Sequence, residues 1–161
     1  MIDREGAYVA LVSILQTKLG GLLASPVVRK LPSYADLDSI AQPLVAIIAG
    51  RDSLPSDGPE PERPTLHAIV VIYARADVDP NATAETTLFG IVGTIDDALN
   101  QNAQDLPNGS SVSPGQTIQG WTSLGGKALW AKPGGEVLYD SGQTENQGIA
   151  QYPIDIVMVP A

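Results

Sequence analysis

The chain holds one histidine, His67, and no cysteine, so any chemistry that needs an imidazole runs through a single residue. A Ser-His-Asp relay, in which the imidazole takes the proton of a hydroxyl nucleophile, can be assembled on paper from His67 and many Ser and Asp residues. No GxSxG elbow accompanies it. His67 shares a strand face with Ile69 and Val71, so it reads first as a partly buried, hydrogen-bonded structural histidine, with general base or ligand as the chemical alternative. Zinc would have to be held by three or more carboxylates, which is not its usual donor set.

Asp77, Asp79 and Asn81 imitate the first three ligands of a calcium loop. The pattern then fails, with Ala82 where the glycine belongs and Leu88 where the bidentate glutamate belongs, so these residues read as helix caps. Asp36 with Asp38, and Asp96 with Asp97, are the carboxylate pairs that acid–base work would use. The first pair lies in a turn and the second on the solvent side of a helix, so both read as solvated. Neither a strand-GxGxxG-helix nor a P-loop pattern occurs, and phosphate cradling has no support. On this reading the chain has no catalytic residue, no metal and no cofactor.

The elements around these residues follow from periodicity. Tyr8, Leu11, Val12, Leu15 and Leu19 form one helical stripe, which Asp3 can cap and Gly20-Gly21 should stop in a left-handed turn. Val27 to Leu31, fenced by Pro26 and Pro32, predicts a short edge strand. The apolar run 43–49 predicts a strand covered on both faces. Residues 50–64 carry four prolines and two glycines and predict a loop or arm. Thr65 to Arg75 alternates as a strand, with Leu66, Ala68, Val70, Ile72 and Ala74 on one face. Leu88, Ile91, Val92, Ile95 and Leu99 repeat the helical stripe, interrupted by Gly90 and Gly93, which are tolerated more easily where a neighbouring backbone comes close. Residues 100–126 predict a long polar loop. Strands then follow at 127–132, 136–139 and 149–159, the first two joined as a hairpin by Pro133-Gly134-Gly135. The order predicts one α+β domain over residues 1–161: a mostly antiparallel mixed sheet of four or more strands, two helices packed on one face, and long polar loops.

With 161 residues, one domain is the expected size. Nine Lys and Arg against eighteen Asp and Glu give a net charge of −9, which repels phosphate backbones and argues against nucleic acid as partner. No basic cluster exceeds Arg29-Lys30, and the N-terminal stretch is neither a signal peptide nor a spanning segment, so no membrane role is expected and a cytoplasmic protein fits. Two helices cover about one sheet face, yet the strands are apolar on both. The second face must be roofed by the long loops or by another subunit, and the partner is the favoured cover.

A family resemblance enters here. The opening IDREGAYVALVSILQ, Val28 to Leu31 followed by Tyr34 to Pro43, Ala49 to Asp52, Pro64 to Arg75, Leu124 to Gly126, Gly135 to Val137 with Asp140, and Gln147 to Pro160 together resemble the small tail-completion proteins of tailed bacteriophages and prophages. The likeness spans nearly the whole chain and contains no catalytic fingerprint. It implies a tail-terminator-like, non-enzymatic virion protein, assembled in the bacterial cytoplasm as a homo-oligomeric ring, a hexamer in that family. It further implies that the ring sits on the head-proximal end of a tail, binds the tail-tube protein to halt polymerisation and offers a surface to the head–tail connector. Arg29, Arg51 and Arg63 are then candidates for subunit or tube contacts, since guanidinium groups in an acidic ring belong opposite carboxylates. Trp121, in the polar loop, is a candidate anchor either of its own loop or of an interface. The alternatives are another neck component, or a monomeric α+β module whose loops lid a small-molecule pocket.

Overall fold

The computed structural model describes residues 2–54, 63–75, 84–100, 120–140 and 147–158. Helix α1 spans Arg4–Leu19, strand β1 Leu44–Ser53, β2 Thr65–Arg75, helix α2 Ala84–Leu99, β3 Trp130–Pro133, β4 Leu138–Asp140 and β5 Gln147–Val157. The sheet order is β1-β2-β5-β3, with β4 also on β5, and all four strand pairs among the described residues are antiparallel. The fold is α+β, as the periodicities predict.

Both helices pack on one sheet face because their stripes are apolar and the facing strand positions are too. Ala7, Tyr8, Leu11, Leu15 and Leu19 of α1 and Leu88, Ile91, Val92, Ile95 and Leu99 of α2 join Val45, Ile47, Leu66, Val70, Ile72, Tyr152 and Ile154 in one core. Asp3 caps α1 as expected, its side chain accepting from the Gly6 N–H at 2.9 Å. That bond, with Lys127 beside it, lowers the Asp3 pKa from its ordinary value. A carboxylate whose pKa is depressed by folding contributes stability above its unfolded pKa and loses it as the pH falls through the folded one. Melts taken from about pH 6 down to about pH 2 should therefore show an acid-side loss of stability that is smaller in Asp3→Asn. The C-terminus of α1 differs from expectation. Gly20 stays right-handed (φ −53°) and donates to Gln16 O, so the chain leaves α1 through a further tight turn in which Leu22 and Leu23 both donate to Leu19 O.

Three further expectations are corrected. Val27 to Leu31 makes a single parallel bridge, Val28 to Ala46, with Val27 in the helix-side core and Val28 in the opposite cluster; the next residue, Arg29, turns to Glu5 and the Tyr8 ring of α1. The strand at 43–49 runs on through Ser53, so the expected 50–64 loop cannot begin before Leu54; residues 55–62 lie outside the described residues. Strands β3 and β4 do not form a hairpin. Both pair antiparallel with β5, β3 against Ile154–Val157 and β4 against Ile149–Gln151, as two pieces of one interrupted edge.

Of the expected 100–126 loop, residues 101–119 lie outside the described residues. Its end is anchored: Thr122 donates to Leu99 O and accepts from the Ala131 N–H, both at 2.8 Å, and Leu124 is buried. Leu124, Gly125 and Gly126 take positive φ in succession (53°, 67°, 89°), a turn that two glycines make sterically cheap.

The second sheet face is the largest correction. One end of it is roofed by the chain itself: Val28, Leu37 and Ile40 pack on Leu44, Ile48, Val71, Tyr73 and Ile149. The polar-looking turn at 36–42 provides this roof through buried Leu37 and half-buried Ile40, while its polar groups tie it down. Arg75 donates to Leu37 O, and Gln42 and Gln147 exchange amide hydrogen bonds at 2.9 and 2.8 Å. The other end of the face, around His67, Ile69, Pro153 and Asp155, forms a cleft.

Candidate functional site

The open end of the face is shaped by one extra residue. Pairing between β1 and β2 shifts at Gly50, between Ala49 opposite Ala68 and Arg51 opposite His67. A bulge of this kind reverses which face the following residues occupy. Gly50 is required at that point, since a Cβ there would lie 2.8 Å from His67 O. Beyond the bulge Asp52 turns to the helix side, where Arg4 pairs with it at 2.5 Å, and Arg51 and Ser53 turn to the side of His67.

Three strands then deliver three linked side chains. Ser53 of β1 and His67 of β2 are joined at 2.8 Å between Oγ and Nε2, and His67 Nδ1 is 2.6 Å from Oδ1 of Asp155 of β5. The acceptor-only carboxylate requires Nδ1–H to donate, and in the neutral imidazole this leaves Nε2 as the acceptor for the Ser53 O–H. His67 and Asp155 are roughly one-quarter exposed, with side-chain values of 22% and 23%, and Ser53 is exposed. The adjacent cleft, of about 370 Å³, is lined by Gly50, Arg51, Ile69, Gly134 and Pro153 together with His67 and Asp155. Gly134 holds Asp155 in place: a Cβ there would be 2.6 Å from Asp155 Oδ1, and its N–H donates to Pro153 O at 2.8 Å. The arrangement is a hydroxyl, a base that can take its proton, and a carboxylate that orients the base.

The other candidates fall elsewhere. Arg29 pairs with Glu5 at 3.2 Å and lies 5.0 Å over the Tyr8 ring, and Arg63 lies 5.4 Å over the Trp130 ring. Arg51 alone of the three lines the cleft, and no ion pair is made to it among the described residues. Trp121 stands half exposed where its backbone bridges Asn100. No hydrogen bond, ion pair or ring contact joins any two of these four among the described residues. Asp36 and Asp38 do not act as a pair; Asp38 faces Arg75 at 3.4 Å. Asp97 is exposed as expected, whereas Asp96 accepts the hydroxyl of buried Tyr152. Burial, then this bond to Asp96, raises the Tyr152 pKa. Asp77, Asp79 and Asn81 lie outside the described residues.

Sequence reasoning found His67 and missed both of its partners. Asp155 carried a usable signal, a carboxylate between Ile154 and Ile156 on an otherwise apolar strand. Ser53 carried none, because it sits where prolines begin to crowd the chain. Among the described residues no group of His, Asp and Glu is placed to hold a metal ion, and no helix is long and apolar enough to cross a membrane. Set against family models and against curated proteins, the chain matches none.

Proposed function

We propose that this chain is a structural subunit that joins copies of itself head-to-tail into a closed ring, and that the ring caps the head-proximal end of a phage tail tube. The role rests on the family resemblance; the observation that carries the assembly is a pair of dissimilar surfaces at opposite ends of one sheet. At one end Phe89 of α2 and Tyr139 of β4 meet edge-to-face at 5.1 Å, both exposed, beside exposed Leu138. At the other end lies β1, with Arg51 exposed on the cleft side. Two unlike patches on one subunit are what a heterologous contact needs, and rotation that closes gives a finite ring instead of a filament.

Gly90 and Gly93 fit the same reading. Among the described residues neither has any atom within 4 Å of the place a Cβ would take, so no approach by the described chain explains them. In the isolated chain Gly90→Ala and Gly93→Ala should each stabilise α2 by up to about 1 kcal/mol, a rise in Tm of about 2–4 °C by calorimetry.

The role is tested in assembling particles. Removal of the protein should give overlong tubes by electron microscopy, and purified Phe89→Ser/Tyr139→Ser protein should fail to restore normal length while unaltered protein succeeds. Tubes of normal length that lack heads would replace the terminator role with a connector role, and unchanged particles would refute both.

A further inference from the structure

We propose that Ser53 is an activated nucleophile that takes the acyl group of short esters and passes it to water. The inference does not rest on the ring reading; it stands on geometry and, because Arg51 is shared with the ring's second patch, it applies to the free chain. A serine hydroxyl is a poor nucleophile at neutral pH unless a base is in hydrogen-bond contact and correctly oriented. Both conditions are met: Ser53 Oγ lies 2.8 Å from His67 Nε2, and Asp155 fixes the ring from the far side at 2.6 Å.

The surroundings favour this over a purely structural link. The Ser53 hydroxyl group belongs to an exposed residue, and His67 and Asp155 line an adjoining cleft of about 370 Å³, which a link between strands does not need. Arg51 lies in the same lining and is the cation able to face an oxygen that gains negative charge. The bulge at Gly50 is what brings Arg51 and Ser53 onto this face.

The reaction balances without any further reagent. Ser53 Oγ forms a bond to the ester carbonyl carbon as its proton passes to His67 Nε2. The carbon–oxygen bond to the leaving alcohol breaks with its electron pair, and that oxygen takes the proton from Nε2. Water repeats the sequence on the acyl-serine, giving up a proton to Nε2, and the carboxylic acid departs as the proton returns to Ser53. Ser53 and His67 are the catalytic residues; Asp155 is a positioning residue, acting through the His67 tautomer.

The test uses the purified full-length chain with a fluorophosphonate probe and with p-nitrophenyl butyrate. Peptide mass spectrometry should place the phosphonyl adduct on Ser53, and Ser53→Ala should abolish both the adduct and ester turnover. His67→Ala should slow labelling by about 10²-fold or more. Asp155→Asn should lower kcat with little change in KM, a split that a merely structural contact would not produce. Ser53 is exposed, so Ser53→Ala folds without strain, and equal melting temperatures establish that its loss is chemical. An adduct absent from Ser53, or equal labelling of the parent chain and a folded His67→Ala or His67→Gln variant, overturns the proposal.

Discussion

Gly148→Val is expected to cost about 3 kcal/mol or more of stability. Gly148 is buried where β5 passes under the first turn of α2. Even a single Cβ there would stand 2.6 Å from Ala84 Cβ, 3.1 Å from Leu88 Cδ1 and 3.3 Å from Ala74 O. Ordinary carbon contacts lie at about 3.5–4.0 Å, so α2 must lift or β5 must drop. Neither can move freely. β5 pairs with β2 over eleven registered positions, from Thr65 opposite Val157 to Arg75 opposite Gln147, and α2 is held by Leu88, Ile91 and Ile95 in the core. Gly148→Ala should show the same effect at smaller size, and Ala84→Gly placed with it should recover about half of the loss by removing the nearest atom. Denaturant unfolding of the four proteins checks the order.

Asp96→Ala is the second large effect, and the informative feature is its asymmetry with Tyr152→Phe. Tyr152 is 1% exposed and its hydroxyl donates to Asp96, whose own position is exposed. Removal of Asp96 strands a buried hydroxyl and should cost about 1–3 kcal/mol. Removal of the hydroxyl leaves a carboxylate that water can solvate, and should cost under about 1 kcal/mol. The double variant should resemble Tyr152→Phe alone. Burial and the Asp96 contact raise the Tyr152 pKa above its ordinary value of 10.0, so stability that is full at neutral pH falls as the pH rises past that value and the unfolded tyrosine ionises. Tyr152→Phe should make this alkaline loss shallower. It will not abolish it, because burial also raises Tyr8 and Tyr73.

The elements legible in the sequence are those whose side chains repeat against one partner layer. Both helical stripes and the alternation of β2 read directly, since each buries one face against a continuous core. What stayed hidden depends on a residue that breaks a period or on a partner far along the chain. Gly50 shifts the β1 register by one residue, so the Arg51 and Ser53 face cannot be found by counting from the apolar run. The roof over the second face is built from Leu37 and Ile40, two aliphatic residues among polar ones, and no period marks them. Of the site, His67 was visible because it is unique; Ser53 and Asp155 are 14 and 88 residues away from it, and only the register of three strands joins them.

The broken outer edge of the sheet has a further consequence. Between Pro133 and Leu138 the rim of β5 carries no continuous ladder, and Pro153 on that strand has no N–H to offer. An incoming strand from a neighbouring molecule therefore finds no long, flat template at this border, and amyloid-like stacking by backbone pairing is blocked there. Copies that meet along this border therefore gain less from backbone pairing than from contacts between side chains.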